Sequence, residues 1–150
     1  MISKSEVLRI AQRALKHFSL DCDVKFVSAA SFRRLALKSP LIRQVLSEGF
    51  SFAELKIPAL LYHRDKDHIV LSFDVLKKII GKLDHEVQVD FITSVLYHEI
   101  FHVLYEHLVK KKDFVDCLRS EERVCKMFGK KFPVLYKVGY ELHKQAVTKN

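Results

Sequence analysis

Tyr97-His98-Glu99-Ile100-Phe101-His102-Val103 lies inside a long apolar run and sets two histidines and a glutamate where a buried helix would otherwise carry only hydrocarbon. Buried polar groups without partners cost about 1–3 kcal/mol or more each, and a metal ion is the most economical partner for this trio. On a helix, residues four apart differ by about 40° of rotation and stand one above the other. His98 and His102 can therefore offer two imidazole nitrogens to one ion. Glu99 projects to the side of that ion, where it can take a proton from metal-bound water, so H-E-x-x-H contains two ligands and one base. The bland alternative is a pair of core histidines satisfied by hydrogen bonds beside an exposed glutamate.

The surroundings favour a site. Val95, Leu96, Ile100, Phe101, Val103 and Leu104 put apolar side chains on every face of the motif, as expected of a central helix packed on both sides. Working outward, the spacing predicts this helix over residues 86–111. Residues 57–63 and 68–73 are apolar, partly β-branched runs separated by Arg64-Asp65-Lys66-Asp67, which reads as a hairpin and its turn. A short helix capped by Asp74 follows, running to Ile80, and Gly81 stops it.

Residues 5–18 have helical periodicity that Ser3 or Ser5 can cap, and residues 24–27 alternate as a short strand. Ser31 reads as the cap of a helix to Leu37, and Pro40 opens a further turn to Glu48. Helices over residues 120–131 and 133–147 complete the chain, Pro133 being tolerated in a first turn. The expected fold is α+β, a small twisted sheet packed on the motif helix, in one domain over residues 1–150.

Composition agrees with a folded, helix-rich chain: 49% of residues are hydrophobic and 29% charged, with only four glycines and three prolines among 150 residues. No repeat or biased segment interrupts it. The N-terminal stretch is charged every few residues and no run approaches a membrane span, so a cytoplasmic protein without membrane contact is expected. Cys22, Cys117 and Cys125 are odd in number and form no C-x-x-C pair, which argues for free thiols and against an all-cysteine zinc site. A net charge of +8 permits a nucleic-acid partner. The basic residues are scattered, however, and neither Lys110-Lys111-Lys112 nor Lys130-Lys131 has the aromatic interleaving of a single-strand binding surface.

A catalytic zinc takes three protein ligands and leaves a fourth position for water. Glu121 and Glu122 are the downstream carboxylates on a predicted helix. Acidic residues just after Ser120 are also favoured at any helix N-terminus. One of the pair can serve that purpose and the other can be the ligand. His107 points about 140° away from His102 and is not expected to coordinate. His63 and His68 flank the hairpin turn and read as solvent-exposed.

His98-Glu-Ile-Phe-His102 followed by Glu122-x-x-Cys125-x-x-Phe128-Gly129 resembles the gluzincin branch of zinc metallopeptidases, most closely its small members, the minigluzincins and the ImmA/IrrE-type peptidase domains. The resemblance covers roughly residues 57–135. It implies a minimal zincin-like domain that hydrolyses peptide bonds with Zn2+, held by His98, His102 and Glu122, with Glu99 as general base and a peptide or protein as substrate. It also implies that the strand carrying Ile57, Ala59 and Leu61 is a sheet edge that pairs with an extended peptide. Tyr136, Tyr140 and His143 are the candidates for stabilising an oxyanion.

The family often has an acidic residue four positions after the ligand glutamate. Counted from Glu122 that position holds Lys126, and counted from Glu121 it holds Cys125. This departure leaves room for a latent peptidase, or for an interaction or DNA-associated module on the same fold. Residues 41–50 are apolar enough to cover a cleft.

Overall fold

Strand β3 (Lys66–Leu71) is the centre of a three-stranded sheet, with β1 (Asp23–Phe26) parallel on one side and β2 (Leu60–Arg64) antiparallel on the other. In this computed structural model, which describes residues 1–106 and 113–148, eight helices accompany the sheet. They are α1 (Lys4–His17), α2 (Ala29–Ala36), α3 (Pro40–Ser47), α4 (Phe52–Leu55), α5 (Phe73–Ile80), α6 (His85–Glu106), α7 (Phe114–Lys131) and α8 (Pro133–Thr148). The class is α+β, as expected. The readings made for His107 and for Lys110-Lys111-Lys112 lie outside the described residues. Among the described residues, no helix is long and apolar enough to cross a membrane.

The hairpin forms, with two shifts from the expected boundaries. Pairing continues through Arg64↔Lys66, so the reversal uses Asp65 alone, at φ 64°. Aspartate tolerates this left-handed conformation better than most residues. Residues that read as turn chemistry are strand residues here because they have partners. Asp67 Oδ1 lies 3.2 Å from Nδ1 of His63, its register partner, and Lys66 Nζ lies 3.1 Å from Asp23 Oδ1 on β1.

At the other end β2 begins at Leu60, so Ile57 and Ala59 lie in the approach to the strand and only Leu61 is in it. That approach follows α4, a helical turn with a capping box between Ser51 and Glu54 that the sequence did not disclose. Lys56 then adopts φ 51°, and its carbonyl accepts a hydrogen bond from His143 Nε2 at 3.0 Å. Pro58 lacks an N–H to give to a ladder, which suits a position outside the pairing. Among the described residues β2 is an edge of the sheet, hydrogen-bonded to β3 only.

Helix α6 carries apolar side chains on more than one face because it serves two cores. Phe91, Ile92, Leu96 and Ile100 pack with Val7 and Ala11 of α1, Ile69 and Leu71 of β3, and Leu76 and Ile80 of α5. On another face Phe101 packs with Val124 and Phe128 of α7, walled by Phe18, Tyr97, Phe132 and Tyr136. Helices α1, α7 and α8 and both hairpin strands lie against α6, and α3 lies against α7.

One buried polar group orders this arrangement. Gln88 Oε1 accepts from the Ile2 backbone N–H at 2.7 Å, while its Nε2 donates to the carbonyls of Ile80 (2.9 Å) and Leu83 (3.1 Å). A single side chain thus ties the segment before α1 to the turn between α5 and α6.

Caps fall earlier than expected at three helices. Ser28 caps α2 in place of Ser31, and Ser72 caps α5 in place of Asp74. Helix α7 starts at Phe114, six residues ahead of the expected start at Ser120, because the Asp113 side chain accepts from the Asp116 N–H. Ser120 is buried in mid-helix, in a stripe with Cys117, Val124 and Phe128. This longer α7 sets the rotation of the residues that face α6.

Candidate metal centre

Helix α6 presents His98 and His102 one turn apart, with their Nε2 atoms 3.2 Å from each other. From α7, Glu121 places Oε2 3.0 Å from His98 Nε2 and Oε1 2.9 Å from His102 Nε2. The His102 side chain is 4% exposed, that of His98 24% and that of Glu121 41%, so His102 is the most buried member of the cluster and Glu121 the most exposed.

The carboxylate beside the histidines is not the one that the family resemblance implies. Glu122 is exposed and does not join the histidines; Glu121 does. The cause is helical phase. With Ser120 and Val124 turned into the core, Glu121 falls at the margin facing α6, and a further rotation of about 100° turns Glu122 to solvent.

Charge holds the three groups together. Burial pushes the Glu121 carboxyl up, but its contacts with His102 and His98 outweigh that and keep it well below the usual carboxylate range. Burial likewise favours neutral His98. The Cys125 and Glu121 side chains, with the charges of Glu99 and Glu121, outweigh it and keep the imidazole well above its ordinary value.

The donor types are compatible with a metal ion such as zinc, and the groups stand slightly closer together than ligands of one ion would. Two imidazole nitrogens and a carboxylate form the ligand set of a catalytic zinc, and ligands about 2.0–2.2 Å from a tetrahedral ion lie roughly 3.3–3.5 Å from one another. The observed separations of 2.9–3.2 Å are close to that. Behind the ligands the support is thin. Among the described residues His102 Nδ1 is buried without a hydrogen-bond partner, where a ligating histidine normally donates its other nitrogen to a fixed acceptor.

Other candidate residues divide clearly. Glu99 is half-buried on α6, and its charge acts on His98. Tyr136 interacts with Cys125, beside the cluster, and burial foremost raises its phenol pKa. Its ring lies against Gly129, where a Cβ would come within 3.3 Å of Tyr136 Cδ1. Tyr140 stacks on Tyr136 with ring centroids 6.2 Å apart, but is 55% exposed. His143 is engaged with the Lys56 carbonyl. Of the three oxyanion candidates, only Tyr136 interacts with a side chain of the cluster.

Cys125 is the residue that sequence reasoning undervalued. It stands one turn after Glu121, and ligand atoms of His98, Glu121 and Cys125 all lie within 4.8 Å of one another. The signal was its spacing: Glu121 and Cys125 form an i, i+4 pair on α7 as His98 and His102 do on α6.

Comparison of the chain with protein-family models, with curated proteins and with solved structures finds no match.

Proposed function

We propose that the protein is a zinc-dependent peptidase of the gluzincin type, with His98, His102 and Glu121 as the metal ligands. The convergence of two Nε2 atoms and one carboxylate from crossing helices, all within 2.9–3.2 Å, carries this reading. When bound, zinc lowers the pKa of a water toward about 7 and polarises a carbonyl.

The chain's own groups do the rest. Glu99, held beside His98 by the helix that carries both, accepts a proton and passes it to the leaving amine. The Tyr136 hydroxyl is the donor best situated to meet a developing oxyanion. Among the described residues edge strand β2 has one side without a strand partner, on which an extended peptide can add main-chain hydrogen bonds. A latent form is favoured by α3, which belongs to the apolar region expected to cover a cleft and packs on the helix that carries Glu121.

Elemental analysis of the purified chain, paired with peptide hydrolysis, tests the proposal. Wild type and Glu99→Gln should both retain about one zinc while only the wild type hydrolyses peptide, and His102→Ala should lose both properties. Absence of zinc from the wild type, or equal zinc loss in the two variants, would overturn it.

A further inference from the structure

Each of the two helices at the metal centre contributes donors at i and i+4: His98 and His102 from α6, Glu121 and Cys125 from α7. Crossing helices with two donors apiece can surround an ion with four protein groups. Three groups leave an ion one free position; four leave it none.

We propose that Cys125 is a fourth protein donor to the ion held by His98, His102 and Glu121, so that the loaded site is closed by a thiolate. The inference rests on the metal reading above. Ligand atoms of Cys125, His98 and Glu121 already lie within 4.8 Å of one another. A Zn–S bond of about 2.3 Å is longer than the bonds of zinc to nitrogen or oxygen, so sulfur is the donor that can stand farthest from the other ligands. A thiolate also matches zinc in softness better than a carboxylate does.

Neighbouring groups keep the thiol where it is. Tyr136 interacts with Cys125 from α8, and the thiol is half-buried rather than free in solvent. On binding, the thiol proton leaves to solvent and the sulfur takes the position a water would hold; this is the resting form, and hydrolysis proceeds from a minor form in which water has displaced the sulfur. Removing the thiol opens that position without removing the other three donors.

Titration of the full chain with Co(II), followed by absorption, tests this directly. Wild type should show visible d–d bands of a four-coordinate ion together with a near-ultraviolet sulfur-to-cobalt charge-transfer band. Cys125→Ser should keep visible bands, lose the charge-transfer band and bind Co(II) more weakly, by at least the roughly 10–100-fold that loss of an outer partner alone costs. Cys117→Ser, two turns earlier on α7, is the control and should keep the charge-transfer band. Visible bands without charge transfer in the wild type, or a charge-transfer band that survives in Cys125→Ser, would overturn the role of Cys125 and leave the site of His98, His102 and Glu121 standing. No cobalt absorption at all in the wild type would overturn both.

Discussion

Glu121 Oε1 lies 2.9 Å from His102 Nε2, a contact between a carboxylate that reaches solvent and an imidazole that is 4% exposed. It joins α7 to α6. Glu121→Ala should therefore weaken zinc binding by about 100-fold or more, exceeding the 10–100-fold typical of an outer-sphere partner. Glu122→Ala should leave zinc affinity unchanged and stability within about 0.5 kcal/mol, as at most exposed positions. Competition with a chromophoric chelator measures both. Loss of zinc from Glu122→Ala with retention in Glu121→Ala would reverse the assignment.

Why the histidines were legible and the glutamate was not follows from what each depends on. His98 and His102 need only the rotation of one helix, which local geometry fixes. Choosing Glu121 over Glu122 needs the rotation of α7 about its own axis, and that is set by Cys117, Ser120, Val124 and Phe128 finding the core. The acidic pair just after Ser120 suits a helix start there, whereas the actual cap, Asp113, lies seven residues earlier. The same logic explains the hairpin. Its strands were legible from apolar runs, but the contacts of Asp67 with His63 and Lys66 with Asp23, which draw apparent turn residues into the sheet, depend on tertiary pairing. Helix α4 is a single turn, too short to impose a period.

Gln88 was passed over in the sequence because a lone glutamine on an apolar helix has no signature. Its three hydrogen bonds satisfy backbone groups of Ile2, Ile80 and Leu83, and each such group left buried and unpaired costs about 1–3 kcal/mol. Gln88→Leu should destabilise the protein by roughly 3 kcal/mol or more, read as a lower urea midpoint with an unchanged m-value. Protection of the Ile2 amide from hydrogen exchange should fall with it. A loss under about 0.5 kcal/mol would show that water replaces the glutamine.

Cys22 supplies a pH dependence away from the metal centre. It is 7% exposed, and burial, followed by the charge of Asp67, pushes its thiol up to about 11 from an ordinary 9.0. Because the folded chain holds this proton more tightly than the unfolded chain, the thiol costs nothing below about pH 9. Stability falls as pH rises from there toward 11, by about 1.4 kcal/mol per unit at most. Cys22→Ala should show a shallower decline across that window, so its stability gap to wild type narrows by about 1–2 kcal/mol between pH 8 and pH 10.5. Parallel urea-stability profiles in the two proteins would contradict a shifted thiol.

Gly139 sets how closely α8 approaches α6, and with it the reach of Tyr136, one turn earlier on α8. A Cβ built at Gly139 would lie 1.8 Å from Ser94 Oγ and 2.6 Å from Ser94 Cβ, so no side chain fits without moving a helix. Alanine raises intrinsic helix propensity by about 1 kcal/mol over glycine, but overpacking at a closed helix contact costs typically 1–3 kcal/mol and occasionally more. The steric effect should win at these distances. Gly139→Ala should lower the melting temperature by roughly 2–8 °C, on the scale of about 2–4 °C per kcal/mol for a chain near this size. Since Ser94 Cβ itself is within the clash, Ser94→Ala should fail to restore stability to Gly139→Ala, whereas Ser94→Gly should recover part of it. If α8 is displaced as expected, the Tyr136 side chain moves with it, and peptide hydrolysis should fall more steeply than zinc content. Equal loss of zinc and hydrolysis would place the damage in the ligand helices instead.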